Sequence, residues 1–386
     1  MSVKGFIFEL PHKNIKNCTV KNSSIIAKKG QDNISFIGAF IGYGECVSFE
    51  NCDAIGNEII NETELGHAGG VIGSSYSSGG YNSETNVWSE SCKVINASNI
   101  QVKDCEIQAN ASTGGIVGYG VVNVSDSSVD NCIIKDNSKN NNGAGGIVGF
   151  TLSVNETSIK NTNVLNSTIT SKDYVGGIAG FASGTIDNCT VNNTSISTDS
   201  LECGAGGITG MSFESSNVIS NSTVSKSSIT GAQYAGGIVG YTEGNLTNNK
   251  VNENSTITTT SSEYSAGGIL GLTANSSSEI TNCDVDKITV KSVNGYAGGI
   301  AGFANNIISG SDVNNATIIA TGDAPMNIGG VLGQASNETD IITVLTNSGI
   351  QNTTLKTNGV AGKVAGSGLA DLTGCTVDED TVVISK

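Results

Sequence analysis

The sequence contains no arginine; all 19 of its basic residues are lysine. They stand against 35 acids, for a formal net charge of −16. Binding to nucleic acid needs a basic face and favours the guanidinium fork, so a phosphate-tracking role is excluded. Proline occurs twice, aromatics make up 5% of the chain and charged residues 14%. So little charge excludes an acidic disordered polymer, and 37% hydrophobic residues can line a core when spaced periodically. No apolar run reaches the roughly 18 residues of a membrane span, so membrane insertion is not expected. The first thirty residues hold no apolar stretch of about 7–15 residues before a small-residue cleavage site, so no signal peptide is visible. No window carries the i, i+3, i+4, i+7 apolar stripe, and helices should be nearly absent.

What fills the chain is Gly, with 51 residues, together with Asn, Ser and Thr. The glycines recur in a signature, Gly-Gly-Ile-x-Gly. It reads Gly114-Gly115-Ile116-Val117-Gly118, then Gly145-Gly146-Ile147-Val148-Gly149, with further copies from Gly69, Gly176, Gly206, Gly236, Gly267, Gly298 and Gly329. Weaker copies start at Gly38 and Gly362. Successive first glycines lie 31, 45, 31, 31, 30, 30, 31, 31, 31 and 33 residues apart. The one long interval contains residues 74–90 with Trp88, and reads as a loop inserted on one edge.

The second half of each unit repeats too. Ile186, Asn188, Cys189, Val191 and Ile196 match Ile280, Asn282, Cys283, Val285 and Val290 offset for offset. Short β-branched runs broken by Asn and Ser suit strands of 3–6 residues. The expected fold is all-β: a β-helix or β-solenoid of about 11–12 coils of about 31 residues, three short strands per coil, stacked about 4.8 Å apart. Residues 1–386 are read as one such domain, with 1–37 a degenerate first coil and 362–386 a last one. Phe6, Ile7, Phe8 and Leu10 are positioned to plug the first coil. Seven of ten cysteines share a local pattern such as Asn17-Cys18, Asn131-Cys132 and Asn188-Cys189, where other repeats put Thr162, Ser222 or Ser348. Exchange among Cys, Ser and Thr points to packed thiols, and the absence of any CxxC pair removes the usual zinc spacing.

Columns of equivalent residues follow from stacking. Ile116, Ile147, Ile178, Ile208, Ile238, Ile269 and Ile300 should form an inward ladder, and the Asn of each Asn-Cys step an amide ladder at a corner. If the signature is a flat strand with Ile147 inward, its other face is again apolar. That face ends in Tyr119, Phe150, Phe181, Met211, Tyr241, Leu272 and Phe303, with Tyr174, Tyr234, Tyr264 and Tyr296 at its flank. Either loops or a second layer cover this stripe, or the phase is inverted, or it is a face for binding or self-association.

The signature followed by an aromatic resembles the GLUG motif, a repeat named for Gly-Leu-any-Gly, here with Ile or Val in place of Leu. The family occurs in bacterial surface and secreted proteins, and similar repeats occur in archaeal adhesin-like proteins. The resemblance spans about Gly38 to Gly366. It implies a non-catalytic module at the cell surface or outside the cell: an adhesin, a spacer or a self-assembling subunit. Its partner would be a protein (a copy of itself or a host-surface molecule) or a surface glycan, with no cofactor.

Chemistry finds little purchase in the sequence itself. His12 and His67, the two histidines, lie in no nucleophile-elbow or metal-type motif. Asp173, Glu202 and Glu263 fall at similar phase in different units, each alone, whereas glycoside cleavage needs paired acids. A carbohydrate-binding or carbohydrate-cleaving β-helix is therefore the alternative reading. Thr168-Ile169-Thr170 and Thr256-Ile257-Thr258 hint at an ice-ordering row, but Ile319-Ala320-Thr321 breaks it, as ordinary polar strand surface does.

Overall fold

The computed structural model describes residues 13–30, 35–44, 47–75, 81–82, 87–88, 94–138, 142–152, 157–261, 264–273, 277–322, 326–336, 343–368 and 370–385. Phe6, Ile7, Phe8, Leu10, His12, Glu263 and most of 74–90 lie outside these residues.

The coil that starts at Tyr174 shows the plan. An inbound leg, Tyr174–Gly176, leads through a two-residue tip into an outbound leg, Ala179–Ala182. Two wall strands follow, Thr185–Asp187 and Thr190–Asn192, and then a back strand, Ser195–Thr198. Each pairs in parallel with its counterpart one coil away; Ile186, for example, stands beside Ile159 and Ile219. Inbound legs form an 11-stranded sheet and back strands a 12-stranded one. Outbound legs and wall strands share a 32-stranded sheet, broken by bends. The expected β-solenoid, built on three sheets, is thus the observed fold, and no helix occurs among the described residues. Tyr81–Asn82 pairs antiparallel with Val87–Trp88.

Two corners bracket the second wall strand, and Asn suits both. Asn188 and Asn193 adopt the left-handed conformation, at φ 52° and 50°, which Asn tolerates better than other residues bearing a Cβ. Their amides form the expected ladder, and there are two of them. Asn188 Nδ2 donates to Asn161 Oδ1 at 2.8 Å, and Asn193 Nδ2 to Asn166 Oδ1 at 2.8 Å. The cysteines divide likewise, which corrects their reading as one local pattern. Cys18, Cys52, Cys189, Cys283 and Cys375 follow the first corner, whereas Cys105 and Cys132 follow the second.

The left-handed residue interrupts the backbone ladder, so the next side chain must supply an acceptor to the coil before it. Ser222 Oγ accepts the N–H of Cys189 at 3.2 Å, Ser311 Oγ that of Cys283 at 3.0 Å, and Cys105 Sγ that of Asn57 at 3.4 Å. A small acceptor is required there, and an orphaned N–H in its place costs about 1–3 kcal/mol. That is why Cys, Ser and Thr interchange.

The signature is not the flat strand expected. The chain bends at Gly146-Ile147, so inbound and outbound legs fold against each other as an arch. Only glycine fits between them: a Cβ on Gly145 would overlap Val148 O and come within 2.7 Å of Ala179 Cα. One on Gly149 would meet Thr113 N at 2.5 Å and Gly118 O at 2.6 Å. The tip reaches the second wall strand, since a Cβ on Gly146 would sit 2.7 Å from a Val164 methyl. The bend resets the alternation, so Ile147 and Val148 both enter the core, each fully buried. The outward phase of the strand's other face is therefore corrected for Val117, Val148, Val239 and Leu270, which stand two residues before Tyr119, Phe150, Tyr241 and Leu272 and are core residues. Ile116, Ile147, Ile178, Ile208, Ile238, Ile269 and Ile300 are all fully buried, each contributing roughly 1.5–3 kcal/mol of transfer free energy.

Adjacent coils also differ. Before Tyr174, Tyr234 and Tyr296 the link from the back strand is two residues, and so is the link after the outbound leg. The coils between them, starting at Gly143, Gly204 and Ser265, have five- or six-residue links at both places. Long-link and short-link coils alternate.

Candidate functional site

The mouth of the arch is where the rest of the stripe emerges. Outbound legs end there in Tyr119, Phe150, Phe181, Tyr241, Leu272 and Phe303, all half-buried, and in Met211, which is 8% exposed. Strand pairing puts Tyr119, Phe150, Phe181, Met211, Tyr241, Leu272 and Phe303 in one column. The inbound legs begin at the same mouth, and there the flanking tyrosines appear. Tyr174 lies 5.7 Å from Phe181, and Tyr234 and Tyr296 each lie 6.2 Å from Tyr241 and Phe303.

The rings form a continuous run. Phe36 stacks on His67 at 5.5 Å and His67 on Tyr119 at 4.7 Å. Tyr119 stacks on Phe150 at 5.5 Å, and Phe150 on Phe181 at 4.3 Å and 6°. Phe213, on a long link and 44% exposed, bridges Phe181 at 6.0 Å and Tyr241 at 5.6 Å. In the four stacked pairs from Phe36 to Phe181 the rings turn their faces to each other and their edges outward, whereas the other ring contacts on this edge are tilted or edge-on. Leu201, 58% exposed, lies on the matching link of the same coil.

His67 belongs to this run, which the sequence reading missed. Its Nδ1 accepts the Ser112 N–H at 3.1 Å, and burial pushes its imidazole down to about 4, so the ring is neutral near pH 7. The available signal was its column: it aligns with Phe36, and three later coils place Tyr174, Tyr234 and Tyr296 there.

The acids singled out by phase do not meet. Glu202 is exposed on a link and Glu263 lies outside the described residues. Asp173 is buried, but beside Asp136, an acid the sequence reading did not consider. Ser138 Oγ is 3.1 Å from a carboxyl oxygen of each, and Ser171 Oγ donates to Asp136 at 2.9 Å. The one Ser138 hydroxyl proton serves one of its two contacts; the other needs a protonated carboxyl. Burial pushes Asp136 up to about 7, which favours that protonated form over an ordinary carboxylate. The two acids join adjacent coils at the link from back strand to inbound leg.

The thiols are mostly buried. Of eight described free cysteines, Cys18 alone is exposed. Burial pushes Cys203 up to about 11 and Cys283 up to about 12, far from the reactive thiolate range. Among the described residues no group of three or more His, Cys, Asp or Glu is placed to hold a metal.

Two solved structures are similar to the chain. One is a candidate immunoglobulin A1 protease from Bacteroides ovatus, 16% identical, covering 79% of this chain and 87% of that one with a TM-score of 0.37. The other is the Streptococcus pneumoniae surface protein and adhesin PfbA, 10% identical, covering 96% and 91% with a TM-score of 0.32. No curated protein matches the sequence. Residues 173–197, which run from the inbound leg into the back strand of one coil, match the family model described as the GLUG motif, so the chain carries the repeat that its signature resembles.

Proposed function

We propose that the chain is a non-catalytic adhesin or spacer module, displayed outside the cell, that engages a protein partner along its aromatic edge. The observation that carries this reading is the ring column itself. A zipped solenoid needs no half-exposed aromatics to hold its coils, yet here ring contacts run from Phe36 to Tyr241 along one edge and resume, past Leu272, at Tyr296 and Phe303. Long links from every second coil flank that edge, and such links carry recognition more often than regular strands do. Ring edges suit apolar and aromatic side chains, whereas a sugar stacks on a ring face. Along the stacked stretch from Phe36 to Phe181 this favours a protein over a glycan.

A second reading has its own observation. The outer face of the first wall strands near the N-terminus is a shallow groove of about 430 Å³ lined by Asn14, Ser48, Asn96, Ser98 and Asn123 with Lys16 and Lys160. Neutral amides and hydroxyls there suit a glycan.

The test is the triple variant Phe150→Ser, Phe181→Ser and Tyr241→Ser, assayed on arrays of immobilised host-surface proteins and of glycans. The expected result is unchanged circular dichroism with protein binding lost. Glycan binding that survives the triple variant supports the groove instead. An unfolded triple variant shows that the rings are core and overturns the proposal.

A further inference from the structure

Five back strands hand over to their links through the same device: the last side chain of the strand accepts the N–H two residues on. Asn61 does so for Thr63 at 3.2 Å, Ser171 for Asp173 at 2.9 Å, Thr198 for Ser200 at 3.1 Å and Thr357 for Gly359 at 2.9 Å. Asp136 does so for Ser138 at 2.8 Å, and it is the one acid of the five. Neutral acceptors suffice elsewhere, so the turn does not call for an acid at 136. Asp136 is 1% exposed, and its other contacts are the neutral hydroxyls of Ser138 and Ser171. Across Ser138 it faces Asp173 of the next coil. Among the described residues no cation bonds to Asp136. Lys135 beside it is exposed, and Lys172 is exposed and paired with Asp199 at 2.6 Å. The coil before presents Ala109. Past Asp173 stand Tyr174, Glu202 and Cys203. His67 connects to Asp173 through Ser112 and Asn142. Lys139 lies outside the described residues.

We propose that Asp136 is a proton-operated staple between these two coils, independent of any partner on the aromatic edge. Protonated, its carboxyl completes a network in which the single Ser138 hydroxyl meets both acids. Ionised, it sets two buried carboxylates on one hydroxyl and loosens the turns at 136–138 and 171–173. Burial above all, and then Asp173, push the carboxyl up to about 7. In the unfolded chain an aspartate titrates at about 3.9. Between those values the folded chain holds the extra proton, so stability falls as pH rises. The staple's contribution is fully present below the unfolded value and is lost as pH climbs through about 7. Tyr174 follows Asp173 and lies 5.7 Å from Phe181, so the loosened turn adjoins the mouth of the arch.

Amide hydrogen exchange on the full chain, read by mass spectrometry over residues 133–138 and 168–176, tests this. Each wild-type rate is divided by that of Asp136→Asn at the same pH. The division removes the intrinsic pH dependence of exchange and the titration of His67. The ratio should rise at least about tenfold between about pH 5 and about pH 8. Over residues 289–297, further along the rod, it should stay level. If Asp136→Asn fails to fold, Asp136→Ser takes its place, since the same column carries serine at Ser171. A ratio over 133–138 and 168–176 that stays level or falls overturns the proposal. An equal rise over 289–297 makes the loosening global and overturns the staple too.

Discussion

Gly146→Ala is expected to lower stability by more than about 3 kcal/mol, the upper end for an overpacked core. The added methyl has nowhere to go. It would overlap the Gly177 carbonyl of the next coil and press on both Val164 methyls, at 2.7 and 2.8 Å. That carbonyl belongs to an arch held on both sides. Ile147 and Val148 both donate to the Ile178 carbonyl, at 2.9 and 3.0 Å, and the same pair of bonds recurs at each tip. Backbone fixed this way cannot step aside as a flexible side chain does. Gly30→Ala is the control, because its Cβ would meet nothing closer than Lys28 O at 3.9 Å; its effect should stay within about 0.5 kcal/mol. Urea unfolding followed by circular dichroism reads both. Equal midpoints for the two variants would contradict the arch.

Ile178→Ala should cost about 2–5 kcal/mol, because the side chain is fully buried and its removal leaves a cavity in a column that cannot collapse without shifting its neighbours. Phe181→Ala, three residues on, removes a larger but half-buried ring and should cost less. The contrast separates the two columns that the sequence placed on opposite faces of one strand. Stability in a solenoid is close to a sum of coil and neighbour terms. A weak coil in mid-stack should therefore also broaden the Ile178→Ala transition into two steps, as flanking blocks unfold separately. A single sharp transition with an unchanged midpoint would place Ile178 outside the core.

The period and the amide corner were legible because stacking forces equivalent residues into columns, and columns print as repeats. The arch was not, because alternation holds only while a strand runs straight. The bend at Gly146-Ile147 turns two successive side chains, Ile147 and Val148, into the same core. The alternation of coils was hidden by compensation. From Gly145 to Gly329 each interval between signatures holds one long link and one short one, so the sum stays near 31 residues. Asn188 and Asn193 look alike in sequence, yet each marks a different corner. Asp136 escaped notice because its residue type does not recur at its position, and His67 was weighed only for catalysis or metal binding, although it stands in the column where Tyr174, Tyr234 and Tyr296 stand in later coils.

The central claim is that the glycine signature is a buried arch within a solenoid rather than an exposed strand. Residue-resolved amide hydrogen exchange on the wild-type chain tests it most directly. The N–H groups of Ile147, Val148, Ile178 and Ala179, each bonded to the next coil, should be among the slowest in the molecule, exchanging only with global or block unfolding. Exchange at these positions as fast as in the long links at 199–203 and 213–217 would contradict the account.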